Sequence, residues 1–193
     1  RRNIPLTHIA PNFGAEKGTD YRCPDGHDGL HKRVKAMTEI AQESEIMLDC
    51  HSGDDLSSDT NRVLGKASNG RIHFKVSPWL QLIFAETMEE LLPDQFRRWW
   101  EETKRYVEGE AEHGSSIAIE SMKEYESGSK KEPSVEHTFF HHYHFVPVGL
   151  RDKKGQFVLR ELFYDLPESF LKEYRSRLYT YLCNIAADVF NRR

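Results

Sequence analysis

The chain is poor in cysteine: Cys23, Cys50 and Cys183 are the only three, and none forms a CxxC spacing. An odd, scattered set fits a reducing, cytoplasmic compartment better than a disulfide framework. No apolar run approaches the roughly 18 residues that a membrane helix needs, and no signal peptide opens the chain, so no membrane partner is expected. An excess of one charge is also lacking. The formal net charge is −4, mildly acidic, which gives no reason to expect nucleic acid as a partner. There is no internal repeat and no low-complexity tract. There is no initiating methionine either: Arg1 leads almost at once into an apolar segment, so residues ahead of Arg1 are expected.

What is present is a chain of 193 residues, 38% hydrophobic and 30% charged. That composition reads as soluble and globular, one domain or part of a larger one. Ten histidines and 11% aromatics are on the high side.

Along the chain, strands and helices alternate. "IPLTHIAPNF" (Ile4–Phe13) is a β-branched apolar run stopped by Pro11, Asn12 and Gly14, and it reads as a buried strand. Gly14–Gly29 is loop by composition. "LHKRVKAMTEIAQES" (Leu30–Ser44) carries apolar residues at 30, 34, 37 and 40, a helical stripe. "EIMLDCHSG" is a second strand. Asp55–Ser68 reads as a short helix that Ser57, Ser58 or Asp59 can cap. "RIHFKVS" (Arg71–Ser77) alternates as a third strand. Pro78–Gly114 is helical and broken near Pro93. Residues 121–135 are polar, with Gly128 and Pro133, and read as a mobile loop. "EHTFFHHYHFVPVG" (Glu136–Gly149) reads as a fourth strand, and Glu168–Phe190 as a closing amphipathic helix. The order implies an α/β fold of neighbouring parallel strands with helices outside, in one domain over 1–193. In such folds reactive groups gather at the carboxyl ends of the strands.

The second strand ends in "DCHSGDD", where a buried run hands over to acid, thiol, imidazole and hydroxyl. His51 there and His73 near the end of the third strand occupy equivalent places on consecutive strands. Imidazole is a common transition-metal ligand, and Asp49 or Asp54 could add an oxygen. A lone histidine is more often a satisfied structural residue; two at matching positions point toward a shared site. "FHHYHF" places His142 and His144 on one face of a strand and His141 on the other. That HxH spacing suits a metal or substrate site, and it suits a packed aromatic edge equally. Glu16 and Lys17 follow the first strand between Gly14 and Gly18, which permit close approach of a ligand. The carboxylate could transfer protons and the lysine could hold an anion. Lys75 shares a strand face with His73 and could bind a carboxylate there. Cys50 and His51 are neighbours on a strand and face opposite ways, so they do not make a nucleophilic dyad. Cys50 is expected in the core, and Trp79, Trp99 and Trp100 in helix packing.

Together, "PLTHIAPNFGAEKGTDY", "IMLDCHSGDDLSSDTNRVLGKASNGRIHFKVS" and "FHHYHFVPVGLRDKKGQFVLRELFYDL" resemble the tagaturonate epimerase family. Its members carry a strand ending in HSGSD, then a helix, then a strand with a His-x-Lys pattern. Here these stand as His51-Ser52-Gly53-Asp54-Asp55 and His73-Phe74-Lys75. The fourth residue of the first pattern is aspartate in place of serine, which adds a carboxylate beside the substrate or metal. The resemblance implies the carboxyl-terminal part of a TIM-barrel-like (β/α) fold, with further site residues ahead of Arg1.

It also implies an isomerase: an epimerase interconverting D-tagaturonate and D-fructuronate, or a related keto-uronate, by a retro-aldol/aldol route. His51 and His73 would hold a divalent cation (Zn, Mn, Ni, Co or Fe), and Glu16 would transfer the proton. Lys17, Ser52, Asp54, Lys75, His142 and His144 would contact the sugar acid. The rival readings are a non-catalytic sugar-acid binding protein that keeps the barrel, and a half-barrel that works as a homo-oligomer or paired with the missing amino-terminal half.

Overall fold

Three short strands pair side by side. β1 (His8–Ile9), β2 (Met47–Cys50) and β3 (Ile72–Phe74) form a parallel sheet in the order β1-β2-β3. His8 lies opposite Met47 on the β1–β2 seam, and Asp49 lies opposite His73 on the β2–β3 seam. The ladder runs on past both strands, with the Met47 amide donating to the Thr7 carbonyl at 2.9 Å and the Lys75 amide to the Cys50 carbonyl at 3.0 Å. This computed structural model describes residues 6–11, 26–50, 57–76, 78–127 and 163–191. The parallel pairing expected from strand–helix alternation is found for these three strands. The fourth expected strand, around 138–146, lies outside the described residues.

Packing divides the chain into two compact units, Arg1–Ser77 with Tyr179–Arg193, and Pro78–Leu178. The described side chains gather around two cores, one in each unit.

The first unit holds the sheet. Helix α1 (Gly26–Glu43) follows β1, and α2 (Ser58–Ser68) follows β2. Each crossover returns the chain to the same end of the sheet, as parallel pairing requires. α1 buries Leu30, Val34 and Ala41 against Leu48, Cys50, Leu64, Ile72 and Val189. Full burial of a Leu or Val side chain contributes about 1.5–3 kcal/mol, so this face fixes the helix. The expected stripe at 30, 34, 37 and 40 is shifted: Met37 packs against the core, whereas Ile40 is 50% exposed and Ala41 takes the inward place. The helix also starts at Gly26 rather than Leu30.

α2 begins where the expected cap allows. The Ser57 hydroxyl accepts from the Thr60 amide at 3.2 Å, which satisfies one open donor of the first turn. Asn69, in the left-handed region at φ 49°, closes the other end. The side-chain amide of Gln42 donates to the Ala67 carbonyl at 2.6 Å and ties α1 to α2. Arg62 then reaches Asp188 at 3.0 Å.

The second unit is helical. α3 (Pro78–Leu91) and α4 (Pro93–Glu112) are separate helices, with the break at the expected proline. Pro93 lacks the amide that would continue α3, and its fixed φ suits the first turn of α4. α5 (Ser116–Ser127) follows. It carries helix into the 121–135 segment expected as a loop. Its buried Ala118 and Ser121, with partly buried Met122 and Tyr125, outweigh the polar composition there. Phe96, Trp99, Trp100 and Phe170 form the core of the unit, with Phe84 meeting Trp99 edge-on at 5.6 Å. Thr87 and Thr103 turn their buried hydroxyls back onto the carbonyls of Ile83 and Trp99. The last helix, α6 (Glu168–Phe190), belongs to this unit through Leu178 and to the first from Tyr179 onward. No helix among the described residues is long and apolar enough to cross a membrane.

Candidate functional site

The two faces of the sheet differ in chemistry. Strand alternation sends Leu48, Cys50 and Ile72 into the core, with Ile9 and Phe74 packed against it. Met47, Asp49 and His73 fall on the other face, in phase with His8 and Lys75. The apolar phase of each strand is held by α1 and α2. The alternate phase therefore offers polar groups at the carboxyl ends of parallel strands, where ligands bind in such sheets.

Asp49 is the centre of this group. One carboxylate oxygen accepts from the Lys75 ammonium at 2.8 Å. The other lies 3.5 Å from Nδ1 of His73. Asp49 is 14% exposed, whereas Lys75 is 38% and His73 56% exposed. The acid is thus the inner member, and the imidazole and ammonium are the parts a ligand can reach. The His8 ring stands edge-on to His73 with centroids 6.1 Å apart. Nδ1 of His8 lies 3.0 Å from the Thr7 hydroxyl. The cluster joins an acceptor-only carboxylate, two imidazoles and an ammonium, a set able to bind anionic and hydroxyl oxygens.

Of the residues expected in the site, the structure brings His73 and Lys75 together through Asp49. Lys75, expected to hold a ligand carboxylate, bonds here to the carboxylate of Asp49. Glu16, Lys17, His51, Ser52, Asp54, His142 and His144 lie outside the described residues. His8 is absent from the sequence-level site, although its place in phase opposite Ile9 is a usable signal. Asp49 is foreseen as an oxygen donor but not as the link between His73 and Lys75.

The donor types suit a divalent first-row cation, for which an imidazole backed by a carboxylate is a common arrangement. Among the described residues, no cluster of three or more His, Cys, Asp or Glu side chains could hold a metal ion. His73 would supply one donor of such a centre with Asp49 behind its ring, and the other donors would have to come from elsewhere.

Solved structures share this fold. The native crystal structure of fructuronate-tagaturonate epimerase UxaE from Cohnella laeviribosi matches with a TM-score of 0.68 and 18% identity. The match covers 98% of this chain and 40% of that one. The chain is similar in fold to an epimerase. The same enzyme with one glycerol bound matches with a TM-score of 0.60 at 18% identity, over 98% of this chain and 40% of that chain. With two glycerols bound the TM-score is 0.57 at 17% identity, over 97% and 38%. At such identity the likeness is one of fold, and the chain spans about two fifths of the length of those structures. No family model matches the chain. No curated protein matches it either.

Proposed function

We propose that the chain forms the carboxyl-terminal portion of a (β/α)-barrel enzyme that interconverts D-tagaturonate and D-fructuronate, or a related keto-uronate. The observation that carries this reading is the fold likeness to a fructuronate-tagaturonate epimerase across 98% of the chain. The polar cluster at the carboxyl ends of β2 and β3 supports it, because barrel enzymes place their chemistry there.

The chemistry follows from the substrate. The carbon to be inverted lies β to the ketone, so its hydrogen is not acidic enough for direct removal. Glu16 is the proposed base that takes the proton from the hydroxyl on that carbon. The oxygen's electron pair closes to an aldehyde as the C–C bond toward the ketone breaks. The electrons of that bond pass into an enediolate conjugated with the former ketone. The aldehyde fragment turns within the site, the enediolate carbon attacks its opposite face, and Glu16 returns the proton to the new alkoxide. Lys75, its ammonium placed by Asp49, or Lys17 is proposed to hold the single carboxylate of the substrate. Ser52, Asp54, His142 and His144 would hold hydroxyls so that both fragments stay bound. A divalent cation held by His51 and His73 would act as a Lewis acid on the ketone and adjacent hydroxyl oxygens.

Conversion of D-tagaturonate by the full-length protein, followed by proton NMR with Zn²⁺, Mn²⁺, Ni²⁺, Co²⁺ or Fe²⁺ supplied in turn, tests the reading. D-fructuronate is the expected product. No turnover of any keto-uronate under all five ions rejects it. Glu16→Gln should lower turnover by about 10²-fold while leaving metal content unchanged.

A further inference from the structure

We infer that Asp49 is a positioning residue that fixes the tautomer of His73, keeping the proton on Nδ1 and the Nε2 lone pair available to a divalent cation. The nature of the ligand rests on the function proposed above; the tautomer does not.

Four observations on the sheet carry this. Asp49 and His73 are register partners on neighbouring parallel strands, so their side chains leave the same face side by side. An Asp49 oxygen stands 3.5 Å from Nδ1, the ring nitrogen nearest the backbone. The other oxygen is held by the Lys75 ammonium at 2.8 Å, so the carboxylate cannot swing away without losing that bond. Leu48 and Cys50, on either side of Asp49, are fully buried and fix the strand from which it projects.

The chemistry then leaves one favourable arrangement. An ionised carboxylate only accepts hydrogen bonds. A nitrogen lone pair facing it would be repelled, whereas an N–H facing it is attracted. A slight rotation of the exposed ring brings Nδ1–H within hydrogen-bonding reach, a tightening common when such sites bind their ligands. With the proton on Nδ1, Nε2 is the electron-pair donor. A carboxylate behind a histidine raises the donor strength of the far nitrogen and fixes the ring's direction. Lys75 has a second part in this scheme: its ammonium holds Asp49 in place, although it need not touch the cation.

The tautomer can be read directly. Long-range proton–nitrogen correlation spectra of ¹⁵N-histidine-labelled full-length protein, recorded above the usual imidazole pKa of about 6.5, separate the two ring nitrogens. The resonance is assigned with His73→Gln. Free imidazole side chains favour Nε2–H, so the expected Nδ1–H form in His73 is a clear departure. An Nε2–H tautomer in the wild-type protein overturns the inference, whatever any variant does. Asp49→Leu combined with Lys75→Met removes the acceptor without stranding the ammonium, and should return His73 to Nε2–H. Asp49→Asn keeps an acceptor oxygen and should retain Nδ1–H. Calorimetric titration with Zn²⁺ should show about a 10–100-fold loss of affinity in the double variant and a smaller loss in Asp49→Asn. Equal affinity in all three proteins overturns the role of Asp49 in cation binding. Failure of the epimerase assay alone would reject the proposed reaction and leave the tautomer result standing.

Discussion

The carboxylate of Asp49 receives the Lys75 ammonium at 2.8 Å from the neighbouring parallel strand. The bond lies one step beyond the end of β3, where the ladder is finishing, so it extends the sheet with a charged clasp. Asp49 is mostly buried, and removing its cation leaves a desolvated charge with less compensation. Lys75→Met should therefore lower stability to urea by about 1–2 kcal/mol, the lower part of the range for charged hydrogen bonds because Lys75 is itself partly exposed. A double-mutant cycle with Asp49→Asn should give a combined loss smaller than the sum of the single losses. Additive losses would show that the two groups act independently.

His73 provides the test of metal dependence. Under the proposed function, dialysis against a chelator should abolish turnover, and one of the five divalent ions should restore it. His73→Ala should weaken Zn²⁺ binding by at least about 10-fold, as removal of an imidazole that bears on a metal does. The fold should survive, because His73 is 56% exposed and outside both cores. Circular dichroism with calorimetry separates the two effects. Full turnover after complete chelation would reject the metal-dependent route.

Glu86 on α3 gives a pH-dependent expectation in the helical unit. Burial raises its carboxyl above the ordinary value, Arg177 opposes the shift, and Glu89 adds to it. Glu86 keeps exposed surface, so solvent screening holds the effect small. A raised folded-state pKa means that the native state binds the proton more tightly than the unfolded chain does. The contribution is fully present below the unfolded carboxylate pKa and is lost as pH rises through the folded value. Glu86→Gln should accordingly gain thermal stability relative to wild type as pH rises from about 4.5 to 7. A difference in Tm that does not change over that interval would show that the carboxyl is not perturbed.

Much of the framework was legible because it is written in local pattern. An apolar run marks β2 and an alternating one β3, and Ser57 and Pro93 punctuate the helices through backbone chemistry that neighbours hardly alter. Parallel pairing followed from the helix between each pair of strands. The misreadings are tertiary. Ile40 matches a helical stripe yet faces outward, because Ala41 is the side chain that fits against the first core. α5 carries helix into residues expected as loop because Ala118 and Ser121 pack inward. In the candidate site, His73 and Lys75 were found through their spacing on one strand. The link through Asp49 depends on strand register, and His8 on a second seam. Neither is visible within a single segment.

Gly65 shows how closely α2 meets the end of α6. A Cβ at this position would lie 2.1 Å from the Val189 carbonyl oxygen and 2.7 Å from its carbonyl carbon. Both are backbone atoms, so the obstacle cannot turn aside as a flexible side chain would. Val189 is itself buried in the first core, and Arg62 and Ser58 of α2 bond to the adjacent Asp188. Relief of the clash would therefore pull a buried valine and a charged pair out of place together. Helix propensity alone favours alanine over glycine by about 1 kcal/mol, so an unhindered Gly65→Ala would stabilise α2. The close approach should reverse that sign and give a net loss of about 1–3 kcal/mol, as overpacking does. Gly109, within α4, is the internal control: a Cβ there would meet nothing within 4 Å, so Gly109→Ala should gain about 0.5–1 kcal/mol. Urea unfolding of the two variants, read against wild type, should show midpoints moving in opposite directions. If Gly65→Ala is as stabilising as Gly109→Ala, α2 and the carboxyl-terminal turn of α6 do not pack at this distance.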